Sequence, residues 1–224
     1  MTFAIAARCA ETGMFGVAVS SSSPAVAARC AYAEAGVGAV TSQNVTDPRL
    51  GPRALRLLAD GAGAGEVAAI IARTAPDADY RQVLVVDDAG EAAIHSGGQS
   101  LGIFAEATGA NVACAGNMLA NRDVPQAMVD AFAASTGALG DRIITAMQVA
   151  LSTGGEAGPV HSAGMKLVRD VPWPVADLRV DWTDDCPIAE LAALWERYRP
   201  QLDDYVTRAL NPSGAPNYGV PGDE

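Results

Sequence analysis

Lysine is nearly absent from this chain: Lys166 is the only one, against fourteen arginines. Any chemistry that calls for a lysine depends on that single position. Histidine occurs only at His95 and His161, and the four cysteines, Cys9, Cys30, Cys114 and Cys186, are scattered without a C-x-x-C pair or zinc-like spacing. No metal centre is expected from such a set, and the cysteines are expected as reduced core thiols. Basic runs are missing too. With 15 basic against 26 acidic residues and a formal net charge of -11, neither nucleic acid nor an anionic membrane surface is an expected partner, since both need a positive face. No apolar run approaches the ~20 residues of a membrane helix. The start of the chain does not follow the plan of a signal peptide, so a cytoplasmic location is expected. Gly97-Gly98 and Gly154-Gly155 lack the phosphate-binding glycine patterns, and no cofactor is expected.

What is present suits one globular domain: 224 residues, 50% hydrophobic and 18% charged, enough to bury a substantial core. Residues 1–210 read as that domain and 211–224 as an irregular tail, able to wrap a neighbour in a homo-oligomer. The chain opens on two short apolar runs, residues 2–8 and 14–20, around Glu11-Thr12-Gly13, the sequence form of a β-hairpin. Residues 25–35 are small and apolar and fit a helix or a buried extended segment. Residues 36–43 read as a buried strand that emerges into the polar loop Asn44-Val45-Thr46-Asp47-Pro48, followed by helices over 52–59 and 65–74 and a hairpin over 80–95. A strand over 111–117, helices over 124–135 and 139–152, strands over 161–168 and 176–182, and a last helix from Asp184, interrupted at Pro200, complete the order. Antiparallel strand clusters alternating with helix pairs predict an α+β fold with the sheets packed together and the helices outside.

Several residues in this plan are candidates for chemistry. A strand that begins at Thr2 is unusual, because chain ends fray unless something holds them. Removal of Met1 would expose a threonine whose own α-amine, titrating near ~8, lies within reach of its hydroxyl. Gln43 and Asn44 end an apolar strand and read either as groups that orient a substrate or an attacking water, or as a capped turn into Pro48. Gly116-Asn117 has the form of an oxyanion site, with a glycine that admits backbone N–H groups and an amide donor beside it; an Asn ending a strand is the plainer alternative. Glu156, His161 and Ser162 lie in and after the glycine-rich loop 154–159. His161 and Ser162 are adjacent on a strand and point to opposite faces, which argues against a Ser-His-Asp triad.

Residues 2–5, 11–13 and 16–20, then 35–43, 47–52, 115–119, 177–181 and 218–223, resemble those of the domain-of-unknown-function family 1028, which is grouped with the N-terminal-nucleophile (Ntn) hydrolases. The resemblance covers essentially the whole chain and no single motif carries it. It implies a four-layer αββα sandwich of two antiparallel sheets, Ntn-hydrolase-like. It also implies cleavage of an amide in a small-molecule substrate, with Thr2 as nucleophile after Met1 is removed and Asn117 as oxyanion donor. Ser22, Gln43, Asn44, Gly116, Glu156 and His161 would then bind the substrate or support the site. One departure stands out: Ser22 occupies a position where many relatives carry a lysine just past the second strand. The alternative is a non-catalytic protein of the same fold that keeps Met1 and binds a small molecule or a partner subunit.

Overall fold

The hairpin expected at the start of the chain forms the middle of the protein. In the computed structural model, which describes residues 2–222, β1 (Thr2–Arg8) and β2 (Phe15–Ser21) pair antiparallel, Phe3 opposite Ser20 and Arg8 opposite Phe15. Met1, whose removal the amine-base chemistry requires, lies outside the described residues, as do Asp223 and Glu224 at the end of the tail. Every β2 residue and all of β1 except Arg8 are buried, so these strands read as continuous apolar runs rather than alternating ones.

From β2 the chain makes one helical turn, α1 (Ala27–Cys30), and passes directly into β3 (Ala31–Glu34). The small apolar segment 25–35 therefore uses both conformations that the sequence allowed. Then follow β4 (Gly38–Asn44), α2 (Leu50–Ala59), α3 (Ala64–Thr74), β5 (Arg81–Asp87) and β6 (Ala92–Ser96). The second half holds β7 (Ala105–Gly109), β8 (Val112–Asn117), α4 (Val124–Ala134), α5 (Leu139–Ser152), β9 (Ser162–Val168), β10 (Ala176–Val180), α6 (Pro187–Tyr198) and α7 (Leu202–Leu210). Pro200 sits in a single 3-10 turn, Arg199–Gln201, between the last two helices, because it has no N–H to continue the first one. β7 has no counterpart in the sequence reading. Its residues, Ala-Glu-Ala-Thr-Gly, alternate half-buried with exposed at a sheet edge and are mostly poor strand formers.

Six strands form one antiparallel sheet in the order β10-β9-β2-β1-β8-β7, and four form the other in the order β3-β4-β5-β6. Three apolar cores join four layers. One, including Phe3, Ile5, Met128, Phe132, Ile143, Met147 and Trp195, fills the space between the six-stranded sheet and α4, α5 and α6. A second, built from Ala4, Ala6, Val17, Val19, Ala39, Leu84, Val86 and Ala115, lies between the sheets. The third packs α2 and α3, through Leu55, Leu58, Val67 and Ile71, on the far face of the four-stranded sheet. The architecture is the expected α+β, four-layer αββα sandwich. The tail folds back on its own chain: the Arg208 guanidinium lies 3.9 Å over the Tyr218 ring and donates to the carbonyls of Pro216 and Asn217. Among the described residues no helix is long and apolar enough to cross a membrane.

Candidate functional site

The layer between the sheets is apolar along most of its length and polar at one end. Side chains alternate along a strand, so the face that presents Ala4 and Ala6 on β1 also presents Thr2. By the same count Ser21 continues the face of Val17 and Val19, Asn117 that of Ala113 and Ala115, and Ser162 that of Val168. On the opposite sheet Thr41 and Gln43 follow Ala39, and Gln82 precedes Leu84. All of these strands present this end together, and Thr2, Ser21, Thr41, Gln43, Gln82, Asn117 and Ser162 are each at most 6% exposed.

Gln82 joins the sheets. Its Oε1 accepts from Gln43 Nε2 at 2.8 Å and, at 3.4 Å, from Asn117 Nδ2, while its Nε2 donates to Ser96 Oγ at 2.9 Å and to the Gly116 carbonyl at 3.3 Å. Gln43 Nε2 also donates to the Ala115 carbonyl across the gap. At the other side Thr2 Oγ1 donates to Ser21 Oγ at 3.4 Å, and Ser21 Oγ accepts from the Ser23 N–H. Ser162 pins the same loop, donating to the Ser23 carbonyl and accepting from the Val26 N–H.

Glu156 arrives from outside the sheet. Gly154 and Gly155, at φ of +124° and +58°, turn the chain after α5 into conformations that a residue with a Cβ avoids. The chain then runs antiparallel to the segment that follows β8: Ala120 N–H donates to the Gly155 carbonyl, Ala157 N–H to the Met118 carbonyl, and Glu156 bridges Leu119. Its Oε2 accepts from the Ser22 N–H at 3.3 Å. Burial pushes the Glu156 carboxyl up to about 7, against the pull of the charge at the chain's amino terminus and of the hydrogen bonds from the Ser22 backbone and side chain. Among the described residues, three buried oxygens at this end have no hydrogen-bond partner: Glu156 Oε1, Gln43 Oε1 and Thr41 Oγ1. A stranded buried polar atom costs about 1–3 kcal/mol, so three together mark a place where the fold gives up stability.

The residues singled out in the sequence divide into two groups. Thr2, Asn117, Gln43, Glu156 and Ser22 converge on this end. Gly116 lies in the same ladder, paired with Phe3 and Ala105, and its lack of a side chain serves packing, since a Cβ there would meet Leu119 Cδ2 at 2.5 Å. Asn44 is occupied elsewhere, its Nδ2 donating to the Tyr80 carbonyl at 2.6 Å and its Oδ1 accepting from the Leu101 N–H. It stands at φ +75° at the end of β4. His161 stacks on Trp182 with ring centroids 4.3 Å apart, and its Nδ1 lies 2.8 Å from the Thr183 carbonyl. Ser21, Thr41 and Gln82 were missed. Ser21 was hidden in a serine run and Thr41 in an apolar strand. Gln82 is the second residue of β5, a strand read from its β-branched run. No group of three or more His, Cys, Asp or Glu is placed to hold a metal ion among the described residues.

The family model described as a family of unknown function (DUF1028) matches residues 2–191. Among solved structures the chain is similar to a DUF1028 protein from Silicibacter pomeroyi, with 29% identity, 88% of each chain covered and a TM-score of 0.81. It is also similar to Anbu (ancestral beta-subunit) from Yersinia bercovieri, with 10% identity over 91% of this chain and 97% of that one and a TM-score of 0.39. No match is found among curated proteins.

Proposed function

The chain belongs to the DUF1028 family, and from the polar end of its sandwich we propose an Ntn-type amidohydrolase that cleaves the amide bond of a small molecule, with Thr2 as nucleophile once Met1 is removed. The observation that carries this reading is the placement of Thr2. It is the first residue of a central strand, its hydroxyl faces the inter-sheet layer beside Ser21, and Asn117 stands opposite it in the β1–β8 ladder.

In this reading Thr2 Oγ1 attacks the carbonyl carbon and its proton passes to the α-amine of the same residue. The oxyanion takes a hydrogen bond from Asn117 Nδ2 in place of the long one to Gln82. Collapse expels the leaving amine, which carries the proton away, and water hydrolyses the threonine ester. Lys166 does not stand in for the lysine missing at Ser22. It lies four residues along β9 from Ser162, about 13 Å away at strand rise, and is held by the Ala31 carbonyl and by Asp177 Oδ2 at 3.4 Å. A cytoplasmic homo-oligomer that needs no cofactor belongs to the same reading; light scattering that gives the mass of one chain would count against the oligomer.

The test is intact-mass analysis of natively expressed protein followed by labelling with a β-lactone. Met1 is expected to be absent, one adduct is expected on Thr2, and Thr2→Ala is expected to remain unlabelled. Full retention of Met1 removes the base and leaves the non-catalytic reading. Equal labelling of Thr2→Ala excludes Thr2 as the reactive group.

A further inference from the structure

We propose that Glu156 is the seat of the amino group that removal of Met1 leaves on Thr2, and that it acts as a positioning residue directing the amine toward the threonine hydroxyl. This rests on the reading of Thr2 as an N-terminal nucleophile and adds the group that holds its base.

The register makes the case. β1 lies between β2 and β8. Phe3 pairs with Ser20, which brings Ser21 level with Thr2 and Ser22 one step beyond it; Thr2 pairs with Asn117, which brings Leu119 two steps beyond it on the other side. Both neighbours carry the chain past the head of β1, β2 into Ser22 and β8 through a bend at Met118 (φ +50°) to Leu119, and strands two places apart in a sheet are separated by about 10 Å, room for one chain between them. Glu156 is tied to both extensions. It bridges Leu119 on one side, and its Oε2 accepts the Ser22 N–H on the other. Its carboxylate therefore lies in line with β1, about one residue ahead of Thr2, where an amine on Thr2 nitrogen would point.

The chemistry of the position agrees. Glu156 is 5% exposed, its Oε1 accepts from nothing, and it makes no ion pair among the described residues. Ser22, just past β2, is the one described residue whose hydrogen bonds act on the carboxyl, the charge that bears on it is that of the chain's own amino terminus, and the residue its backbone bridges after β8, Leu119, is uncharged. A buried carboxylate calls for a cation or an N–H donor, and the processed terminus supplies one. One N–H of the neutral amine donates to Glu156, and this fixes the direction of the lone pair, which faces Oγ1 of the same residue. The negative charge also favours the ammonium, so the amine titrates above its usual value near ~8.

The experiment uses processed protein, with loss of Met1 verified by mass, and follows two readouts across the pH range. One is the titration of the α-amine by NMR after reductive methylation with isotope-labelled formaldehyde. The other is the rate at which a β-lactone labels Thr2. Wild-type amine titrating above ~8 is expected, with Glu156→Gln lowering it by about one unit, a tenfold change in base fraction. The labelling limb should shift down with it, and the plateau should be kept within a few-fold because the amide oxygen still accepts the N–H. Glu156→Ala should shift the limb and also lower the plateau about tenfold or more. A wild-type amine at or below the ordinary value overturns the proposal without any variant, as does an unchanged titration in Glu156→Gln. Loss of labelling at every pH in Glu156→Gln also overturns it, since Glu156 would then be the base itself. If wild type fails to label while the amine shift is present, the nucleophile reading falls and the seat stands.

Discussion

Thr2 and Asn117 are direct partners across the β1–β8 ladder, so the head of the central strand and the end of its neighbour present their side chains together to the inter-sheet layer. The Asn117 amide donates to Gln82 Oε1 at 3.4 Å, longer than an ordinary N–H···O bond and weaker for it. An oxyanion forming on a Thr2-bound substrate would compete well for that donor. Asn117→Ala is expected to slow β-lactone labelling of Thr2 by about a hundredfold. It should cost about 1–2 kcal/mol of stability by urea unfolding. Labelling at the wild-type rate would remove Asn117 from the mechanism.

Gln82 is the hub between the sheets. Gln82→Leu takes away the partner of Gln43, Ser96, the Gly116 carbonyl and Asn117 in one step. A loss of about 2–4 kcal/mol is expected, because a broken buried network strands several polar groups at once. Ser96→Ala, which touches one bond at its edge, should cost no more than about 1 kcal/mol. Equal costs for the two would mean that the network does not act as a unit.

Asn44 separates a structural role from a binding one. Its amide ties Tyr80 to Leu101, so Asn44→Ala is expected to lower stability by about 1 kcal/mol or slightly more. Labelling of Thr2 should change less than about twofold, an outcome that a substrate-binding Asn44 would not give. Asn44→Gly keeps the positive φ without strain and should recover part of the loss.

Glu156 gives stability a pH dependence of definite sign. Burial raises its carboxyl from 4.5 to about 7, so between those values the folded chain binds more protons than the unfolded one, and unfolding free energy falls as pH rises through this window. In protein that keeps Met1, the loss is expected to be on the order of 3 kcal/mol between pH 5 and pH 8. Glu156→Gln should flatten the slope in urea titrations at the two pH values. Processed protein, in which the Thr2 amine meets the carboxylate, should show a smaller slope than the Met1-bearing form.

Most of the fold was legible because its elements are local. The alternating and continuous apolar runs of β1, β2, β4, β5 and β8, and the helical spacing in α2 to α6, follow from periodicities that the sequence displays. β7 was not legible. An edge strand of Ala, Glu, Thr and Gly carries no pattern of its own and exists because β8 offers it a ladder. The short turn α1 before β3 was likewise undecided, since small apolar residues suit either state and only the crossing between the sheets selects.

The site divides along the same line. The sequence by itself determined Thr2 at the head of a strand, Asn117 at the end of another and a glycine-rich loop that carries Glu156, because each is a matter of position along the chain. Tertiary structure decided which of the polar residues meet. Strand register fixed Thr2 against Asn117, sheet stacking brought Gln82 and Gln43 to the carbonyls of β8, and two glycines in left-handed turns set Glu156 beyond Thr2 between Ser22 and Leu119. Those meetings join residues as much as 134 positions apart, and such contacts depend on how sheets pair and stack, which no local pattern of side chains encodes.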